Sequence, residues 1–82
     1  MPPYIIDTDD NGNFVPGDLE AGINCPKQAR TEAHRVLGSM TYYALPDGEH
    51  RVLRATVRDK NGQEIYVATV TFAGEWKIPQ TA

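Results

Sequence analysis

The residues best placed for chemistry are the oxygen-bearing side chains of the segment DTDDNGNFVPGD, which runs from Asp7 to Asp18. Four of them, Asp7, Asp9, Asn11 and Asp18, occupy the first, third, fifth and twelfth positions of the segment, and a glycine occupies the sixth. Carboxylate and amide oxygens at this spacing are typical of the calcium-binding loop of an EF-hand. The segment is therefore a candidate calcium site.

A tight turn explains the same segment. An EF-hand loop lies between two helices and normally ends in glutamate, whereas here Pro16 and Gly17 stand where the second helix would begin. Asn11 and Gly12 both tolerate positive φ, which a type I′ hairpin turn requires. We therefore expect a hairpin turn and no bound metal or cofactor, with calcium binding by the four oxygen ligands as the alternative.

The other reactive side chains are scattered along the chain. Cys25, His34 and His50 carry ligand atoms for a soft metal, but their spacing matches no zinc motif. No strained-turn motif surrounds Ser39 or Cys25, although nucleophilic catalysis needs a nucleophile, a base and an orienting group held together. We expect that the protein is not an enzyme.

Composition indicates one small domain that is not built to bind nucleic acid. The chain has 82 residues, of which 40% are hydrophobic and 23% are charged, and its formal net charge is −3. This charge argues against nucleic-acid binding because such binding depends on clustered Lys and Arg. The single cysteine excludes an internal disulfide, and neither a secretory signal nor a membrane span is visible. We expect a cytoplasmic protein.

Hydrophobic periodicity predicts two β-hairpins separated by one helix. The first hairpin consists of Tyr4 to Ile6 and Phe14-Val15, joined by the Asn11-Gly12 turn. Helical spacing of apolar residues predicts a helix within Pro26 to Leu45. We expect this helix to bend at Gly38 or to bring another backbone close there. Its apolar face comprises Ala29, Ala33, Val36, Leu37, Met40 and Ala44.

The segments RVLRATVRD and EIYVATVTF flank KNGQ and predict the second hairpin. A two-residue loop at Asn61-Gly62 gives the cross-strand pairs Leu53 with Val70, Ala55 with Ala68, and Val57 with Tyr66. A three-residue loop, Lys60 to Gly62, instead pairs Arg58 with Glu64. It would also turn Ile65 and Val67 into the core. We prefer the two-residue loop because it buries a larger apolar surface.

The assembled prediction is an α+β domain of order β-β-α-β-β, a small antiparallel sheet packed on one face by a single helix. We expect one domain over residues 1–82, with an ordered core over about 3–73 and a C-terminal tail, 74–82, that is free to be flexible. The sheet face away from the helix combines charged and apolar side chains, which suits a protein partner. The residues predicted for this interaction surface are Arg54, Arg58, Ile65 and Val67.

Short motifs over nearly the whole length are similar to those of one family. They are Met1 through Ile6, Ala29-Arg30, Glu32-Ala33, Arg35 through Leu37, Leu45 through Gly48, and Val57-Arg58-Asp59 with Gly62. On these residues the chain resembles a family of small bacterial domains of unknown function, whose members open with Met-Pro-Arg-Tyr and carry Leu-Pro-Asp-Gly and Val-Arg-Asp-x-x-Gly. Pro3 replaces the usual arginine, and Ile5-Ile6 replaces two aromatics. The resemblance implies a fold and no activity.

A second resemblance is to the N-terminal part of HicB-type antitoxins. It rests on Tyr4, Asp10 through Gly12, Phe14-Val15, and Asp18-Leu19 with Gly22. This resemblance implies a regulator that binds nucleic acid, which the acidic balance of the chain does not favour.

The function that we expect is therefore a non-enzymatic interaction or regulatory module. Its partner would be an unknown protein or a second copy of the chain, bound through the sheet face away from the helix or through a free strand edge. Nucleic acid and membranes are not expected as partners. The alternatives are a HicB-like antitoxin or regulator and a small calcium-binding protein.

Overall fold

The computed structural model describes residues 4–17, 23–44 and 50–79. The elements in chain order are β1 (Ile5–Asp10), β2 (Asn13–Val15), α1 (Pro26–Ala44), β3 (His50–Arg58) and β4 (Glu64–Ala73). The strands form one sheet of order β2-β1-β3-β4, and all neighbouring strands are antiparallel. The predicted α+β fold of order β-β-α-β-β is confirmed.

The first hairpin turns at the predicted residues. Asn11 has a φ of 55° and Gly12 a φ of 97°, the two positive angles that a type I′ turn requires. The backbone N–H of Asn11 also donates to the carbonyl oxygen of Val52 at 2.8 Å, which ties the turn to β3. Asp7 to Val15, the greater part of the segment that spaces oxygen ligands like an EF-hand, thus lie in a β-hairpin.

The helix begins at Pro26, whose missing N–H has no intrahelical partner at this position. The carbonyl oxygen of Cys25 accepts the first helical hydrogen bond, from the N–H of Ala29 at 3.1 Å. The side-chain oxygen of Gln28 accepts from the N–H of Asn24 at 2.7 Å and so satisfies a donor just before the helix. The predicted last helical residue, Leu45, lies outside the described residues.

The core forms between the small-residue face of α1 and one face of the sheet, which we call the inner face. The buried residues are Ile6, Ile23, Ala29, Ala33, Leu37, Leu53, Ala55 and Val57. Ala29 and Ala33 have no exposed surface, so the helix lies close to the strands over its first half. Among the described residues, no backbone comes close to Gly38, because a Cβ added there would meet nothing within 4 Å, and that part of the prediction is wrong.

The turn of the second hairpin differs from the preferred prediction. The N–H of Asp59 donates to the carbonyl oxygen of Gln63 at 2.9 Å, and the N–H of Gly62 donates to the carbonyl oxygen of Asp59 at 3.0 Å. Gly62 has a φ of 81°. The loop is therefore the three-residue form, Lys60 to Gly62, in which a glycine of positive φ closes a turn. The predicted two-residue loop is wrong.

A β-bulge then restores the register that the core needs. Arg58 lies opposite Glu64, but Val57 lies opposite Tyr66, so that Ile65 is an extra residue on β4. Beyond the bulge, the predicted core pairs are confirmed: Val57 with Tyr66, Ala55 with Ala68, and Leu53 with Val70. The inner face keeps its apolar side chains because the bulge compensates for the longer loop.

Candidate functional site

The candidate site is the sheet face opposite α1, which we call the outer face. Because side chains alternate along a strand, the register assigns the members of this face. They are Ile5, Asp7 and Asp9 on β1, Phe14 on β2, Val52, Arg54, Thr56 and Arg58 on β3, and Val67, Thr69 and Thr71 on β4. No described helix packs on this face. Phe14 is 59% exposed and Val67 is 45% exposed.

An ion pair anchors one end of the outer face. The Nε of Arg58 donates to Oδ2 of Asp7 at 2.6 Å, and Nη2 of Arg58 donates to Oδ1 at 3.1 Å. This two-point arrangement matches the planar guanidinium to the carboxylate. The Asp7 side chain is only 6% exposed and that of Arg58 is 29% exposed. The carboxylate is therefore buried, and the guanidinium is partly exposed to solvent.

Gly17 supplies the third hydrogen bond to the Asp7 carboxylate. Its backbone N–H donates to Oδ1 of Asp7 at 2.9 Å. A Cβ on Gly17 would lie 2.6 Å from the carbonyl carbon of Ile6 and closer still to the carbonyl oxygen, so the chain can pass here only without a side chain. The glycine that argued against a second EF-hand helix in the sequence thus has a structural role beside Asp7.

These contacts shift the pKa values of both partners. Hydrogen bonding from Arg58 is the largest influence on the pKa of Asp7 and lowers it, whereas burial acts in the opposite direction. The N–H of Gly17 adds a smaller lowering, so the pKa of Asp7 lies below its ordinary value. The same hydrogen bonding raises the pKa of Arg58. Both groups are charged at neutral pH.

The arginines predicted for the interaction surface therefore differ in role. Arg58 forms an ion pair with Asp7. Its cross-strand neighbour on β4 is Glu64 and not Ile65. Arg54 is exposed, and within residues 4–17, 23–44 and 50–79 it forms no hydrogen bond or ion pair. Its neighbour on β1 is Asp9, whose Oδ1 accepts the N–H of Gly12 at 2.8 Å. Arg54 is the cation that a partner could reach.

The two predicted apolar members of the surface also differ. Val67 lies opposite Thr56 on the outer face. Ile65 is the bulged residue of β4 and is 40% exposed, without a partner in the register. Sequence reasoning missed Phe14, which lies opposite Asp9 and is more exposed than either. The available signal was an aromatic residue two positions after the Asn11-Gly12 turn.

The oxygen side chains of the candidate calcium loop have other partners. Asp7 binds Arg58, and Asp9 accepts the N–H of Gly12. Oδ1 of Asn11 accepts the N–H of Val52 at 3.3 Å. Asp18 lies outside the described residues. Among the residues that the structure describes, no group of three His, Cys, Asp or Glu side chains could hold a metal ion.

The remaining candidates lie apart. Nε2 of His34 lies 2.7 Å from the hydroxyl oxygen of Tyr66, which links α1 to β4. Cys25 is exposed just before α1, and His50 is exposed at the start of β3. In the described part of the chain these three residues do not form a metal-binding group.

A free strand edge borders the outer face. β4 has ten residues and ends the sheet, because β3 is its only described neighbour. A groove of about 430 Å³ lies between β4 and α1, and its lining consists of His34, Leu37, Gly38, Tyr66, Ala68, Thr69 and Val70. Sequence reasoning anticipated a free edge without saying which strand supplies it, because strand order depends on how the hairpins dock.

Comparison with known proteins identifies a family and assigns no activity. A family model described as a domain of unknown function (DUF6894) matches residues 4–71. This range includes the whole of β1, β2, α1 and β3 and most of β4. No curated protein and no solved structure gives a significant match. Among the described residues, no helix has the length and apolar character needed to cross a bilayer.

Proposed function

The chain belongs to the DUF6894 family, a family of domains of unknown function, and we propose that it is a non-enzymatic protein-interaction module that binds through its outer face. The observation that carries the proposal is the one-sided packing of the sheet. Helix α1 covers the inner face, whereas Phe14 and Val67 are about half exposed on the other. Apolar side chains that remain exposed on a sheet are suited to contact with a protein partner.

The charges on the outer face indicate the chemistry of that partner. Two carboxylates, Asp7 and Asp9, balance two guanidinium groups, Arg54 and Arg58. A face without net positive charge is poorly suited to a phosphate backbone, which argues against the HicB-like alternative. Arg54 lies between Asp9 and Thr69 in the register, so it can bind a carboxylate or a carbonyl oxygen at the centre of the interface.

We therefore expect a partner segment that places apolar side chains on Phe14 and Val67 and a hydrogen-bond acceptor on Arg54. Arg58 contributes indirectly, because it holds β1 against β3 through Asp7. The partner binds by surface complementarity, with no covalent chemistry required of the chain. This assignment retains Arg54 and Val67 from the sequence prediction and adds Phe14.

Affinity purification from the native host, followed by mass spectrometry, tests the proposal. The test variant is Phe14→Ser with Val67→Ser, which removes exposed apolar surface from the outer face. The matched control is Tyr42→Ser with Tyr43→Ser, because these aromatics are even more exposed but lie on α1. We expect the test variant to lose recovered partners that the control retains, while both keep their melting temperatures. Retention of every partner by the test variant would remove the outer face as the binding site.

A further inference from the structure

The free edge of the sheet, β4, is long and lacks the residues that usually prevent strand pairing. From Ile65 to Ala73, β4 contains no charged residue and no proline. Proteins normally protect such edges with charges, proline or short strands, because unpaired N–H and C=O groups recruit another strand. The opposite edge shows that protection: β2 has only three residues, and Pro16 follows it. The two edges of this sheet thus differ in their capacity to pair.

The direction of the unpaired backbone groups follows from the β1–β3 contact. The carbonyl oxygen of Val52 accepts the N–H of Asn11, so the backbone groups of Val52 point toward β1. This direction alternates along a strand. The backbone N–H and C=O groups of Leu53 and Ala55 therefore point toward β4, where Val70 and Ala68 lie opposite them. On β4, therefore, the backbone groups of the outer-face residues point to the open side of the sheet. These residues are Val67, Thr69 and Thr71.

We propose that two copies of the chain pair antiparallel along β4, with the two-fold axis at Thr69. In this register Thr69 lies opposite Thr69 of the second copy, Val67 opposite Thr71, Ala68 opposite Val70, and Tyr66 opposite Phe72. In this register the unpaired backbone N–H and C=O groups of one copy lie opposite those of the other copy. They can therefore form hydrogen bonds between the two β4 strands. The strand is self-complementary, as a two-fold interface must be.

The side chains favour this axis over a neighbouring one at Ala68. An axis at Ala68 also aligns the outward-pointing groups, but it places the carboxylate of Glu64 opposite Phe72. The axis at Thr69 instead pairs Tyr66 with Phe72, and aromatic cross-strand pairs stabilise sheets. No charged residue faces a like charge, because Glu64 lies beyond the paired segment. Of these two axes, the side chains therefore favour the one at Thr69.

The groove beside β4 supplies the space that pairing fills. Tyr66 and Val70 are half-buried in the monomer and line the groove, and the open space above Gly38 extends it toward α1. In the pair, inner-face side chains from β4 of the second copy lie next to this lining. The outer faces of both copies remain open and become one continuous surface. Self-pairing is independent of the proposed partner binding, which requires only the outer face.

Sedimentation velocity on the full chain and its variants tests the pairing. Thr69 is exposed, so changing its side chain alters nothing in the monomer core. Thr69→Lys and Thr69→Glu each place like charges opposite one another at the axis, and we expect each to raise the Kd of the dimer at least about tenfold. An equimolar mixture of the two variants brings opposite charges together and should restore the dimer. Asn13→Glu, on β2 at the opposite edge of the sheet, should leave dimerisation unchanged.

Three results would overturn the pairing. The first is a wild-type chain that stays monomeric up to about 0.5 mM, within the weak range of measurable affinities. The second is dimerisation of either single variant at the wild-type concentration dependence. The third is a mixture that remains monomeric while both variants are folded by circular dichroism. Retention of every host partner by the Phe14 and Val67 variant would refute the outer face as the partner site and leave all three measurements unchanged, so the two proposals fail separately.

Discussion

Asparagine in place of Asp7 tests the ion pair that joins β1 to β3. Asp7→Asn removes the negative charge but keeps an oxygen that can accept the N–H of Gly17. Arg58 then loses its ionic partner, while the shape of the side chain and the register of the strands are preserved. The substitution isolates the electrostatic part of the contact.

The structure sets the expected size of the effect. A hydrogen bond to a charged group contributes about 1.5–3 kcal/mol, and breaking a fully buried ion pair costs about 3–5 kcal/mol. Solvent reaches 29% of the Arg58 side chain, which weakens the pair. We therefore expect Asp7→Asn to lower the free energy of unfolding by about 1–3 kcal/mol at pH 7. In a domain of this size, each kcal/mol lowers the melting temperature by about 4–8 °C.

The pH dependence gives the same contact a second signature. The folded-state pKa of Asp7 is lowered, so its stabilising contribution is complete above the unfolded-state pKa of about 3.9. The contribution is lost as the pH falls through the lower, folded-state pKa. Protonated Asp7 then resembles asparagine. The difference in unfolding free energy between wild type and variant should therefore shrink between about pH 5 and the acid limit of the experiment.

Urea denaturation followed by far-ultraviolet circular dichroism at several pH values measures both effects. Asp9→Asn is the matched control, because Asp9 lies on the same strand and face, and its one side-chain hydrogen bond within the described residues is with the N–H of Gly12. Asparagine can keep that hydrogen bond, so we expect a change below about 0.5 kcal/mol. The reasoning fails if the Asp7 variant matches the wild type at pH 7, or if their difference stays constant down to low pH.

Four further predictions use other parts of the structure. Leu53→Ala should destabilise the fold by about 2–5 kcal/mol in urea denaturation, because Leu53 is 1% exposed. Gly17→Ala should destabilise it measurably in the same assay, since the added Cβ meets the backbone of Ile6, whereas unchanged stability would contradict the close approach. Gly38→Ala should raise the melting temperature, because alanine is favoured by roughly 1 kcal/mol in a helix and has open space here. Calorimetric titration should show no calcium binding tighter than about 10⁻⁴ M, because the carboxylate of Asp7 is already bound by an arginine.

Sequence alone was sufficient for the first hairpin turn and for the buried face of the helix. Asn11 and Gly12 tolerate positive φ, and they form the predicted turn. The apolar spacing from Ala29 to Leu37 predicted the helix face that is buried in the structure. These features depend on residues that are close in the chain, so their side-chain types determine them before any tertiary contact forms.

The second hairpin shows where local reasoning stops. Its core pairs, such as Leu53 with Val70, were predicted because the apolar surface requires them. The loop was predicted with the wrong length, because a longer loop and a bulge at Ile65 satisfy the same core. Patterns of hydrophobicity specify which side chains must be buried, but they do not specify which backbone irregularity brings them there.

The site itself depends on tertiary structure. Asp7 and Arg58 are 51 positions apart, and only the β1–β3 pairing turns a candidate calcium ligand into the buried partner of an arginine. The same pairing makes β4 the long free edge of the sheet and leaves Phe14 and Arg54 on the outer face. The sequence determines the chemical groups and the local turns. Their partners are decided when distant strands align, because hydrogen bonds and ion pairs depend on distances that the order of residues does not contain.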